Sequence, residues 1–336
     1  MTSDTTVQLP RFDDTAVETF PTAAAAGLGV VGVVLGYLTL RHYVYVEWLI
    51  GPPIPVAWWA AAVAASALGL PLLFAVLGRD GERLVALSWP ALAIRWVLPF
   101  LGFHLLWVAA DLVVLSRFTG GIAAVVVRDT RELLTTVALP PAELSLLYCL
   151  ALAPPVAKLT RRLPTWAVLG GLAVVAVATY GSSPAVGLLF LLAGLRLRAP
   201  LERLAGAATW PRLALLAGVF LAVVATSTVL GTNLPAGVRL VVTGAAAVPF
   251  GVTAAALLGR RLPEAVGRSA VLGCVLLVPF TAVVNDVVLP RLSTAGGLVQ
   301  LAAALGEPIV LTAGVVLGGV LVSAAGSRLR EKVGAR

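Results

Sequence analysis

Charge is what this sequence has least of. Asp, Glu, Lys and Arg make up 12% of its 336 residues, while 60% are hydrophobic and the mean hydropathy is +1.00. That is about half the charge of an ordinary soluble domain, which excludes a water-soluble enzyme. Cysteine and histidine occur twice each. Cys149 and Cys274 both fall in apolar stretches, so they read as small buried side chains rather than a disulfide framework. Of the two histidines, His42 with Glu47 falls short of the three or four close ligands a metal takes, and no metal or cofactor is expected. Lysine is limited to Lys158 and Lys332 against 22 arginines. The N-terminal 20 residues carry Asp4, Asp13, Asp14 and Glu18 with only Arg11 as a base. They lack the basic start of a secretory signal peptide.

What is present is a series of apolar runs bounded by Gly, Pro and Arg, long enough to cross a hydrocarbon core of about 30 Å. The expectation is an all-α, polytopic membrane bundle of about ten transmembrane helices. They start near Thr22, Pro55, Leu92, Pro141, Thr165, Pro184, Leu213, Ala236, Ser269 and Ala295. A polar tail over 1–21 precedes one transmembrane domain over 22–324, and a basic tail over 325–336 follows it.

The net charge of +8 would suggest nucleic acid in a soluble protein, but the 24 basic residues lie between apolar spans, so none is expected here. They read as orientation signals and contacts to anionic membrane lipids. From the fourth helix onward, basic loops alternate with nearly uncharged ones: Lys158, Arg161 and Arg162; then Arg196, Arg198, Arg203 and Arg212; then Arg260, Arg261 and Arg268; and finally Arg328, Arg330, Lys332 and Arg336. Both termini are therefore expected in the cytoplasm, with the chain in the cell membrane. One segment departs from the rule. Residues 116–140 are assigned outside yet hold Arg117, Arg128 and Arg131, so this stretch is either an external loop or a re-entrant segment.

Two stretches echo each other. RRLPTWAVLGGLAVVAV, beginning at Arg161, is matched by RRLPEAVGRSAVLGCVLLV, beginning at Arg260, with a four-residue insertion between the shared RRLP and AVLG. LAVVA recurs at Leu172 and Leu221. A parallel duplication of helical hairpins, with halves around 141–258 and 259–324, competes with chance matching in Ala, Val and Leu tracts.

Ionisable groups inside a span cost at least about 2.5 kcal/mol near the bilayer centre, so each needs a partner, a cavity or an interface. His104 and Asp111 lie seven residues apart on one face of the third helix. They could relay protons or serve as a helix contact and an interfacial carboxylate. Arg95, nearer the inner end, reads as a snorkelling side chain. Glu307 sits in Gly306-Glu307-Pro308. Proline frees a backbone carbonyl, so a broken helix beside a carboxylate is one reading, with freed carbonyls as extra ion ligands. The other places Glu307 in an external loop together with Gln300. Asn285 and Asp286 close the ninth helix. An Asn-Asp pair in a membrane helix resembles the ion-binding pair of some sodium/proton antiporters, and an ordinary helix end is the competing reading. Tyr43, Tyr45, Trp48, Trp58 and Trp59 read as an interfacial aromatic belt.

The candidate site residues are thus Glu307, Asp111, His104, Asp286, Asn285, Arg128 and Arg131, gathered toward the outer half. The signatures of several membrane enzymes are missing: H-E-x-x-H, a P-loop, the Asp-rich motifs of prenyltransferases, the paired glutamates of CAAX-type proteases and a late lysine for retinal. Ten helices with internal duplication resemble the architecture of small secondary carriers. The first expectation is a secondary transporter or flippase for a small molecule or lipid-linked substrate, with proton or cation coupling. A membrane enzyme acting on a lipid at the outer face is the second, with Asp111, Arg128, Arg131 and Asp286 around a headgroup. A non-catalytic subunit of a membrane complex is the third.

Overall fold

In the computed structural model the described residues are 20–46, 48, 51, 53–79, 81, 87–113, 132, 134, 135, 137, 145–179, 183–231, 233–259, 264–294 and 296–334. Among them the fold is entirely helical. Helix α1 spans Thr22–Arg41 and ends in a 3-10 turn, Tyr43–Tyr45; α2 spans Pro53–Arg79. Helix α3 runs from Trp89–Leu92 through a π-helical turn, Ala93–Val97, into Leu98–Val113. Then follow α4 (Ser145–Leu159), α5 (Thr165–Ala178), α6 (Ser183–Arg196), α7 (Arg198–Gly206), α8 (Trp210–Val229) and α9 (Ala236–Leu258). The chain closes with α10 (Glu264–Arg268), α11 (Ala270–Val287), α12 (Leu289–Ser293) and α13 (Gly297–Gly334).

Seven of these helices are long and apolar enough to cross a membrane, which is the character of a multi-pass helical membrane protein. Helices α6 and α7 form an eighth candidate bent by 73°, and α4 and α5 are shorter apolar helices of 15 and 14 residues. The helix starts follow local chemistry. Ser88 caps α3 by accepting from the Ala91 amide, and Thr209 caps α8 by accepting from the Arg212 amide, each with a proline in the first turn where no donor is lost. Segment 260–263, which holds the second RRLP, lies outside the described residues. After the first RRLP the helix begins at once at Thr165; after the second, a separate short helix, α10, precedes α11. The inserted turn is therefore a structural element of its own, and it packs on α1 with Gly267 against Ala23.

Helix α1 is the centre of the bundle and touches α2, α9, α10, α11 and α13. Val30, Val34 and Leu38 of α1 join Leu72 and Phe74 of α2, Phe190 of α6, Val252 of α9 and Val315 of α13 in one buried cluster. Lipid tails are as apolar as leucine, so burial itself supplies little attraction between helices, and close packing must hold them together. Gly69 shows how close. A Cβ there would lie 2.9 Å from the Gly29 carbonyl oxygen and 2.8 Å from the Gly32 carbonyl carbon, so α1 and α2 meet backbone to backbone. Helices α2 and α6 do the same at Gly194, whose missing Cβ leaves room for the Ala75 carbonyl.

Candidate functional site

The turn that ends α1 carries its side chains inward. His42 is the C-cap residue, its amide donating to the Leu38 carbonyl at 2.8 Å, and its imidazole is completely buried. The ring lies between two other helices. Nε2 sits 2.7 Å from Glu307 Oε1 of α13, and Nδ1 pairs with Asn285 Oδ1 of α11. Glu307 and Asn285 are themselves buried, at 8% and 7% exposure. Three helices that are remote in sequence therefore meet at one ionisable pair.

Protonation follows from the two contacts. Asn285 Oδ1 only accepts, so Nδ1 of His42 carries a hydrogen and donates. One further proton then lies between Nε2 and Glu307 Oε1, whether drawn as imidazolium and carboxylate or as imidazole and carboxylic acid. Either way the pair is net neutral, the state that burial in an apolar medium favours. The other carboxylate oxygen, Glu307 Oε2, is buried and has no hydrogen-bond partner among the described residues; the hydroxyl of Thr39, one turn before His42, is in the same condition.

Pro308 acts differently from the expectation. Helix α13 is unbroken from Gly297 to Gly334, so Glu307 is neither at a break nor in a loop. The missing proline N–H still deprives the carbonyl four residues earlier, that of Ala304, of its helical donor. Tyr43 fills the gap: its hydroxyl donates to the Ala304 oxygen at 2.9 Å. Tyr43 is 1% exposed, with the Trp48 ring tilted against it at 4.7 Å between ring centroids. The aromatic-belt reading of Tyr43 is therefore replaced by a structural role in holding the Glu307 helix. Gln300, two turns before Glu307, is also buried and donates to the Leu292 carbonyl at 3.0 Å, joining α12 to α13.

Of the sequence-based candidates, the structure brings Glu307 and Asn285 together, through a histidine that had been set aside. Asp286, next to Asn285, is half-buried. His104 is buried on α3, which packs against α4, with Phe100 at 5.8 Å. Asp111 lies in the last turn of α3 with its side chain outside the described set, as are Glu47, Arg128 and Arg131. Arg95 is exposed in the π-helical turn. His42 escaped notice because its partners lie 243 and 265 residues away. The usable signal was its place at a helix end, flanked by polar and aromatic residues.

A second polar group sits at the opposite end of α1. Arg79, nearly buried, donates to Thr22 Oγ1 at 2.6 Å and to Glu202 Oε1 of α7 at 3.2 Å, and lies 4.4 Å from the Phe20 ring centre. Arg198 shares the same carboxylate oxygen at 2.9 Å. Helix α7 turns away from the span at the 73° bend. There Arg198, with Arg79, holds the Glu202 carboxyl below its usual range. Each charged group in this cluster has a partner of opposite charge, and the cluster reads as a structural clasp. Among the described residues no group of three or more His, Cys, Asp or Glu could hold a metal ion. Compared with protein-family models, with curated proteins and with solved structures, the chain matches none.

Proposed function

We propose that the protein is a secondary carrier, a transporter or flippase of a small molecule or lipid-linked substrate, and that His42, Asn285 and Glu307 form its working site. The observation that carries this reading is the buried Glu307 carboxylate, with one oxygen paired and the other without a partner among the described residues. A buried ion pair is seldom retained for stability, because well-packed apolar residues of similar volume serve as well or better. An unsatisfied buried acceptor costs a further ~1–3 kcal/mol. Ionisable groups kept in a membrane bundle against such costs are functional sites by default. The site also joins α1, α11 and α13, so relative movement of these helices makes or breaks it.

In this reading about ten helices cross the cell membrane, with α4, α5 and α6 adding to the seven long spans. Both termini are cytoplasmic. His42, at the far end of α1, then lies toward the outer leaflet. The enzyme alternative places Asp111, Arg128, Arg131 and Asp286 around a headgroup, and nothing in the described geometry favours it.

Alternating access gives a test that needs no substrate. Thr39→Cys, in a Cys149→Ala/Cys274→Ala background, places one thiol beside the site. In right-side-out and inverted vesicles it should react with a membrane-impermeant maleimide from both faces. Reaction from neither face means a solid bundle and removes the carrier reading; reaction from the outer face alone points to an outward-facing pocket instead.

A further inference from the structure

We propose that the ion coupled at this site is a proton, taken up on Glu307 Oε2. This rests on the carrier reading and adds to it the identity of the coupling ion. The number of free acceptors separates a proton from a metal cation. A metal cation in a protein is held by several oxygens at once, six or more for hard divalent ions, and carriers supply them largely from unwound backbone. Here the oxygens flanking Glu307 each already accept a hydrogen bond, so a cation would have to compete for them. The Ala304 carbonyl accepts from Tyr43, the Pro308 carbonyl accepts from Thr312 Oγ1 at 2.6 Å, Asn285 Oδ1 accepts from His42, and Glu307 Oε1 is held by His42 Nε2. The helix itself is unbroken, so its remaining carbonyls stay within the helical ladder. Among the described residues, the buried oxygens that hold no hydrogen bond are Glu307 Oε2 and the Thr39 hydroxyl. Two oxygens do not make a cation shell, and the imidazole beside them presents N–H groups that repel a cation. A proton needs one acceptor, which Oε2 provides.

The proton count balances simply. At rest one proton is shared between His42 Nε2 and Glu307 Oε1, and the pair is neutral. Uptake forms one new O–H bond at Oε2 with a proton from water and breaks none; Glu307 becomes a neutral acid, His42 keeps both N–H groups, and the site gains one positive charge. Release reverses it. Once the carboxyl is uncharged, the His42–Glu307 contact passes from an ion pair to a hydrogen bond from an imidazolium to a neutral acid and loses its Coulombic attraction. The contact holding the end of α1 to α13 then loosens, which links proton binding to helix movement. The other titratable groups on elements packed against α13 are Tyr43 in the 3-10 turn, Arg41 at the end of α1, Asp286 on α11 and Arg291 on α12. Arg79 on α2 and Glu264 and Arg268 on α10 belong to the opposite end, where Gly267 meets Ala23.

The test uses the purified full chain in vesicles adsorbed on a solid-supported membrane, with a pH jump and separately a sodium jump as the only stimuli. The pH jump should displace charge in the wild type, the Glu307→Gln variant should lose that signal, and Glu307→Asp should retain it. Folding of Glu307→Gln is checked by its melting curve and size-exclusion profile in detergent. A sodium-driven signal with none from protons overturns the proton assignment and leaves a carrier. So does an undiminished pH signal in Glu307→Gln. No signal from either jump, with Thr39→Cys still labelled from both faces, also overturns the proton and leaves an uncoupled carrier; labelling from neither face removes the carrier reading itself.

Discussion

The hydroxyl of Tyr43 donates to the carbonyl of Ala304, the backbone acceptor that Pro308 leaves without its helical donor. A helix-breaking residue beside a buried carboxylate is thereby accommodated without a break, by a side chain from the turn that also delivers His42. Tyr43→Phe should leave that carbonyl unsatisfied and cost ~1–3 kcal/mol of stability. In a Pro308→Ala background the alanine N–H can satisfy Ala304, so Tyr43→Phe should cost much less there. Thermal unfolding of the four proteins in detergent gives the coupling; strict additivity would show that the two residues do not address the same carbonyl.

His42→Leu and Glu307→Leu should each destabilise the protein by about 3–5 kcal/mol, because each leaves the other member of a buried pair uncompensated. Comparing their denaturation midpoints in detergent with the wild type checks this. A single variant as stable as the wild type would mean that the remaining group finds water or another partner.

Gly69 and Gly170 should respond oppositely to added side chains. Gly69→Leu drives a side chain into the backbone of α1 and should prevent a folded, monodisperse protein, whereas Gly170 has nothing within 4 Å of an added Cβ. Gly170→Ala should be neutral or stabilising by up to ~1 kcal/mol from helix propensity alone. Size-exclusion profiles and melting curves separate the two outcomes; equal tolerance would contradict the backbone contact of α1 and α2.

The clasp at Glu202 should weaken in acid. Its two arginines favour the ionised carboxyl in the folded state, so its folded pKa lies below the unfolded one. The stabilisation is full above the ordinary carboxylate value of about 4.3 and is lost as pH falls through the lowered folded value. The melting difference between wild type and Glu202→Gln should therefore be present at about pH 7 and shrink below about pH 4. A difference independent of pH would show that the carboxyl's charge is not what holds Arg79.

Much of the helical plan was legible because apolar runs in lipid must be helices, with every backbone group satisfied inside the segment. Proline and arginine marked where the runs ended, and each of the ten expected apolar segments contains a helix beginning within four residues of its expected start. Glu307 and Asn285 were visible as polar residues out of place. What the sequence could not show was the partner that unites them. His42 stands at a helix end, where a polar residue is ordinary, and only the packing of α1 between α11 and α13 turns its ring inward. The fate of the Pro308 break was hidden for a similar reason: local rules name the orphaned carbonyl, but the donor comes from 261 residues away.

In the proposed carrier the His42–Glu307 pair serves movement of the protein rather than its stability, and one doubled variant separates the two. His42→Leu/Glu307→Leu, with Thr39→Cys as reporter in the cysteine-free background, should melt close to the reporter alone. Its thiol should lose two-sided reactivity with the impermeant maleimide. A doubled variant that fails to fold, or one that folds and still labels equally from both faces, would contradict the account.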